Sequence, residues 1–213
     1  MTKVKLCGVT LLDDAARVGA AGVDFIGFNF WPQSKRHIAP ERAPMLAAAA
    51  RAAGQLQVVG VFVDASVDDI LAVHRAVDLD IIQLHGYEGP ELVAAVVNAT
   101  KRPVWKAISV RSAEDVERLE IWPADAILLD APTPGRGGSG TTFDWTLAQS
   151  ARRRYPAMHI VLAGGITPDN VGDAIAAVAP WAIDVASGVE AGPGVKDADK
   201  IARLVAAARA AGA

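Results

Sequence analysis

Short β-branched runs of strand length recur along the chain. They read K-V-K-L-C (3–7), V-D-F-I-G-F (23–28), Q-V-V-G-V-F-V (57–63), L-D-I-I-Q-L (79–84), P-V-W-K-A-I (103–108), A-I-L-L-D (126–130), H-I-V-L-A (159–163) and A-I-D-V-A (182–186). Between them lie longer stretches whose apolar residues repeat with helical spacing, so each strand-like run is followed by a helix-like one. Thr10 stands three before Asp13 and Ser66 three before Asp69, and a hydroxyl that accepts a first-turn N–H with a carboxylate at the same end predicts a helix start at each. Thr167 followed by Pro168 predicts another, because proline is at home in the first helical position. Asp197 precedes Ile201, Leu204, Val205 and Ala208, the stripe of a closing amphipathic helix.

Strictly alternating strands and helices imply parallel strands joined by crossover helices. Eight such units in 213 residues favour an α/β fold of one domain, residues 1–213, closed as a (β/α)₈ TIM barrel. An open doubly wound sheet remains the alternative, since periodicity does not reveal whether the eighth strand pairs with the first.

Composition narrows the picture further. With 52% hydrophobic residues the chain can bury a large core, and a net charge of −3 offers no broad basic surface for nucleic acid or an anionic membrane. The N-terminus M-T-K-V-K-L-C-G lacks a signal-peptide stretch, and no run reaches the roughly 18 apolar residues of a membrane span. A cytoplasmic protein is expected, and the lone cysteine, Cys7, cannot form an internal disulfide. No apolar stripe exceeds what a barrel needs, so a monomer is the default expectation and a homodimer the alternative.

Barrel chemistry gathers where strands run into the loops that follow them, which singles out Cys7, Asn29, Asp64, Gln83, His85, Ser109, Asp130 and Ser187. Alternation along a strand places Gln83 and His85 on the inward face of the fourth run, and Lys3, Lys5 and Cys7 on that of the first. A free cysteine is commonly an inert filler, yet this one stands at a strand's catalytic end in line with Lys5. Lys5 and Lys106 are both expected to point inward and to need a partner, for which Asp184 is a candidate. Asp130 precedes a loop rich in glycine, Gly135, Gly137, Gly138 and Gly140, able to approach or close over a ligand. In the loop after the second strand, Phe30 and Trp31 near Lys35 and Arg36 suggest either an aromatic platform beside a carboxylate-binding guanidinium or a solvated basic loop. Gly164 and Gly165 after the seventh strand, with Ser187 and Gly188 after the eighth, suit phosphate held by backbone N–H groups. The histidines, His37, His74, His85 and His159, lack paired ligand spacing, so no metal is expected. His74 is expected to be exposed and His159 to lie at the stability face.

In order along the chain, K-L-C-G-V-T, G-F-N-F-W-P-Q-S-K-R-H-I, V-G-V-F-V-D, Q-L-H-G-Y-E, L-L-D-A, G-G-S-G-T-T-F-D-W, L-A-G-G-I-T-P-D-N-V and D-V-A-S-G-V-E-A-G-P-G-V-K-D closely resemble the phosphoribosylanthranilate isomerase family of tryptophan biosynthesis. The resemblance implies an Amadori rearrangement of N-(5-phosphoribosyl)anthranilate to 1-(2-carboxyphenylamino)-1-deoxyribulose 5-phosphate, without a redox cofactor. It implies Cys7 as general base, Asp130 as general acid, Arg36 on the anthranilate carboxylate, and Gly164, Gly165, Ser187 and Gly188 around the phosphate. Gln83, His85 and Asp184 would face the substrate. The base must begin as a thiolate and the acid protonated, so both must titrate away from their ordinary ranges, and Lys5 is a candidate to hold the thiolate. Thr141 stands where many relatives carry lysine. A phosphosugar lyase or epimerase would share the glycine turns without needing Cys7, Asp130 and Arg36 together, and a non-catalytic binding protein on the same fold would not need an intact acid and base. An isomerase that also accepts a histidine-pathway aminoaldose would carry the same motifs.

Overall fold

A computed structural model describes residues 1–130 and 144–212. Eight parallel strands close on themselves: β1 (Lys3–Cys7), β2 (Phe25–Asn29), β3 (Gln57–Phe62), β4 (Ile81–Leu84), β5 (Val104–Ser109), β6 (Ala126–Asp130), β7 (His159–Leu162) and β8 (Ala182–Val185). Closure rests on β1 pairing with β8, Lys5 opposite Asp184 and Leu6 opposite Val185, which rules out the open sheet. Helices α1 (Leu12–Ala20), α2 (Ala43–Ala53), α3 (Val67–Val77), α4 (Pro90–Thr100), α5 (Ala113–Glu117), α6 (Trp145–Arg154), α7 (Val171–Val178) and α8 (Ala198–Ala211) ring the barrel, and between β8 and α8 a short antiparallel hairpin forms from β9 (Glu190–Gly192) and β10 (Val195–Lys196). Among the described residues no helix is long and apolar enough to cross a membrane.

Two apolar layers follow from the period-2 alternation of the strands. Phe25, Val59, Ile81, Trp105, Leu128 and Val161 fill the barrel, with Phe25 and Trp105 meeting edge to face at 5.0 Å. The alternate residues, among them Val4, Leu6, Ile26, Ile82, Ile127 and Ile160, pack outward against the helices. Alternation on β5 therefore runs opposite to expectation. Trp105 occupies the interior and Lys106 faces out, its ammonium buried against Glu88 (2.9 Å), the Gly86 carbonyl (2.9 Å) and the Ala107 carbonyl (3.1 Å). The inner volume takes the large aromatic ring, and the lysine has its carboxylate outside.

Of the three predicted caps one forms and two do not, while the closing helix α8 forms over its predicted stripe. Ser66 accepts the Asp69 N–H and Asp197 accepts that of Lys200, with Ile201, Leu204 and Ala208 buried beneath α8. Thr10 does not cap α1: its hydroxyl donates instead to the Gly194 carbonyl (2.7 Å), 184 residues away. Nor does Thr167 cap α7, which starts only at Val171, because Asn170 takes the Thr167 N–H on Oδ1 (2.8 Å) and donates from Nδ2 to the Gly165 carbonyl (2.9 Å). That bonding spends the residues after the glycine pair on shaping the turn. His74 is half-buried rather than exposed, while His159 stacks on Trp181 at 4.5 Å at the strand-start end.

Candidate active site

Cys7, Lys5, Gln83, His85, Asp130 and Asp184 come together at the strand ends inside the barrel. The Lys5 ammonium, fully buried, donates to Gln83 Oε1 (2.8 Å) and Asp184 Oδ2 (2.9 Å). With Oε1 so occupied, the Gln83 amide turns its NH₂ toward His85 Nδ1 (2.9 Å), and His85 Nε2 lies 3.3 Å from Asp130 Oδ2. Since an amide NH₂ can only donate, Nδ1 must accept, and the ring proton sits on Nε2, directed at Asp130. One hydrogen-bonded line thus runs from beside Cys7, across the barrel mouth, to the carboxyl that ends β6. Among the described residues, Asp184 Oδ1 is buried with no hydrogen-bond partner.

Cys7 is packed closely enough that a Cβ on Gly27, its partner in β2, would come within 2.8 Å of the sulfur. Burial pushes the thiol upward, Lys5 opposes that, Asp184 adds to it, and Lys196 opposes it more weakly; the balance lies above the ordinary thiol range. Lys5 does exert the pull expected of it, but burial and the neighbouring Asp184 carboxylate outweigh it, so the net shift of the thiol is upward. Lys5 itself is lowered by burial and raised by Asp184 and Cys7, with a net upward shift, and so stays charged.

Arg36 reaches the same rim. Its Nε and NH2 form a bidentate pair with Glu190 Oε1 (2.8 Å) and Oε2 (2.7 Å). Phe30 is no platform for a ligand: it is buried and stacks on Phe62 at 5.2 Å, because its ring belongs to the layer under the helices. Trp31 is half-buried and Lys35 exposed. Of the other strand-end residues, Asn29 accepts the Trp31 N–H (2.9 Å) and Asp64 that of Tyr87 (2.6 Å), which shape their loops.

The turns after β7 and β8 meet. Gly164 and Gly165 take successive positive φ angles of 85° and 68°, a conformation that suits glycine and turns neighbouring N–H groups to one side. A Cβ on Gly188 would lie 1.9 Å from the Ile166 carbonyl oxygen, so Gly188 is pressed directly against the turn that follows the glycine pair. Among the described residues no group of three or more His, Cys, Asp or Glu is placed to hold a metal ion. The glycine loop after Asp130, with Gly135, Gly137, Gly138, Gly140 and Thr141, lies outside the described residues.

Sequence reasoning missed Glu190 and Lys196, both buried and both in contact with site residues. The only signal was a Glu and a Lys inside the motif S-G-V-E-A-G-P-G-V-K-D, and alternation says nothing about a hairpin after the last barrel strand.

Residues 4–207 match the family model described as N-(5'phosphoribosyl)anthranilate (PRA) isomerase. The N-(5'-phosphoribosyl)anthranilate isomerase of Citrifermentans bemidjiense is 46% identical over 98% of both chains. Monomers generated from the dimeric phosphoribosylanthranilate isomerase of Thermotoga maritima superpose with a TM-score of 0.86 at 40% identity, covering 99% of this chain and 100% of that one. A phosphoribosyl anthranilate isomerase in complex with reduced 1-(o-carboxyphenylamino)-1-deoxyribulose 5-phosphate gives a TM-score of 0.85 at 38% identity, with the same coverage of 99% and 100%. Full-length similarity in sequence and in structure gives one conclusion: the chain belongs to the N-(5'-phosphoribosyl)anthranilate isomerase family.

Proposed function

We propose that this protein catalyses the Amadori rearrangement of N-(5'-phosphoribosyl)anthranilate in tryptophan biosynthesis, with Asp130 as general acid and Cys7 as general base. The observation that carries the assignment is the line Lys5–Gln83–His85–Asp130, which links the surroundings of the thiol to the carboxyl across the barrel mouth. Asp130 in its protonated form donates to the furanose ring oxygen while the anilino nitrogen pushes its lone pair toward C1. The C1–O bond breaks, and an open-chain iminium ion with a free hydroxyl forms. Cys7 as thiolate then takes the C2 proton; the C–H electrons become the C1–C2 double bond, and the iminium π pair returns to nitrogen. The enolamine ketonises by losing its hydroxyl proton and gaining one at C1, so the product is an isomer of the substrate and no cofactor is consumed.

Lys5 and Lys196 both favour the thiolate, and the iminium charge formed on ring opening adds to them just when the base is required. Arg36 holds the anthranilate carboxylate, Asp184 faces the sugar, Gln83 and His85 keep the polar line in register, and the backbone of Gly164, Gly165, Ser187 and Gly188 holds the phosphate. The test is the fall of anthranilate fluorescence when the protein meets freshly prepared N-(5'-phosphoribosyl)anthranilate. A decay no faster than the spontaneous one would sink the proposal, and a parallel assay with the histidine-pathway aminoaldose reads substrate breadth.

A further inference from the structure

Glu190 and Lys196 are buried charges to which the reaction scheme gives little or no task. They are register partners across the β9–β10 hairpin. The Lys196 ammonium donates to Glu190 Oε1 (2.9 Å), to the Cys7 carbonyl (2.7 Å) and to the Ala186 carbonyl (3.1 Å). Glu190 also accepts the Gly194 N–H (3.1 Å) and the Nε–NH2 fork of Arg36. Three further bonds pin the hairpin to the barrel: Lys196 N–H to Asp14 Oδ2 (2.8 Å), Lys200 Nζ to the Glu190 carbonyl (2.7 Å) and the Thr10 hydroxyl to the Gly194 carbonyl.

The stem of Arg36 is confined as well. A Cβ on Gly8 would fall 2.3 Å from Arg36 Cδ, so the glycine after the cysteine provides the groove in which the arginine lies. Glu190 takes one N–H from Nε and one from NH2, and a guanidinium so held keeps its NH1–NH2 edge, the end-on fork, for a second carboxylate. The charges agree. Arg36 and Lys196 share the single carboxylate of Glu190, which leaves the cluster one positive charge in excess. Burial raises the Glu190 carboxyl, but the Arg36 hydrogen bonds and the Lys196 charge more than offset it and hold it below the usual carboxylate range. It therefore remains ionised and keeps its grip.

We infer that Glu190 is a positioning residue: with Lys196 it fixes the Arg36 guanidinium relative to the Cys7 backbone, and so makes the site selective for a substrate whose aryl ring bears a carboxylate. The inference rests on the function proposed above. Its test compares N-(5'-phosphoribosyl)anthranilate with the analogue lacking the carboxylate, N-(5'-phosphoribosyl)aniline, in the unaltered protein, Glu190→Gln, Arg36→Lys and the double variant. Glu190→Gln should raise KM for the carboxylate substrate about tenfold with kcat changed less than about threefold, and leave KM for the aniline analogue within about twofold. In the Arg36→Lys background it should add less than about twofold, because both changes remove the same contact. Equal losses on both substrates would mean a merely structural role and overturn the inference, as would no loss on either. If Glu190→Gln does not fold, Glu190→Asp keeps the charge with a shorter reach and should show the same split between substrates, about threefold; no split overturns the inference. Failure of the unaltered protein to turn over the carboxylate substrate would instead strike the proposed function.

Discussion

The two ends of the barrel use the same residue types to opposite effect. Where the strands begin, Asp24, Asp80 and Asp125 each precede an even-numbered strand, and each accepts a backbone N–H from the strand before, Val4, Val58 and Val104 respectively, all at 2.8 Å. Arg209 and Arg51 back two of them at 2.9 Å, and Lys3 lies over the rings of Phe25 and Trp181. Where the strands end, carboxylates meet side-chain cations instead, Asp184 with the buried Lys5, and Glu190 with the buried Lys196 and the half-buried Arg36. A backbone donor is fixed and is satisfied by one acceptor, so the strand-start carboxylates act as clamps. A carboxylate with an oxygen that meets no donor among the described residues, such as Asp184 Oδ1, is only partly satisfied. Leaving such an atom buried costs about 1–3 kcal/mol.

The sharpest break between the two ends is expected on turnover. Cys7→Ser and Asp130→Asn should each lower kcat by roughly 10²–10⁴-fold with the circular dichroism spectrum unchanged; near-normal rates in either would remove that residue from its proposed role. Lys5→Met comes next, since it leaves Asp184 as a buried carboxylate without its cation. It should destabilise the fold by about 3–5 kcal/mol in urea titration, and a loss under 1 kcal/mol would show that the pair is not closely coupled.

A titration then reads the burial of the thiol. Alkylation of Cys7 by iodoacetamide should have its pH midpoint above that of an ordinary thiol, and Lys5→Met should move it higher still, because Lys5 is the main charge opposing burial. The sign for stability follows by linkage: the folded state keeps this proton after the unfolded chain has lost it, so stability present below the ordinary thiol range declines as pH rises toward the folded value. Cys7→Ser should flatten that decline, and an unchanged slope would refute the shift. The smallest effect belongs to the other end. Asp125→Ala strands the buried Val104 N–H and should cost about 1–3 kcal/mol in stability with kcat/KM unchanged; any change in catalysis would blur the division between the ends.

Local periodicity revealed some of this arrangement and hid the rest. The inward placing of Lys5, Cys7, Gln83 and His85 needed only alternation within β1 and β4. The same rule failed for Lys106, because a strand such as β5, apolar on both faces, does not say which face fills the barrel, and the volume of Trp105 decided it. Phe30 was misplaced for a related reason: an aromatic next to basic residues resembles a ligand platform until the ring is found under a helix against Phe62. Thr10 had the spacing of a cap, but the Gly194 carbonyl took its hydroxyl.

By itself the sequence determined the order of the eight barrel strands and the helices between them, and the family to which the chain belongs. These depend on spacings of a few residues, or on motifs read in place. Tertiary structure alone decided that the sheet closes, that Lys5 meets Asp184 across 179 residues and that Arg36 meets Glu190 across 154. It also decided the direction in which the thiol shifts, upward. Each depends on distances and burial that exist only after the eighth strand has joined the first, and burial outweighs the charge of Lys5 only in the closed barrel.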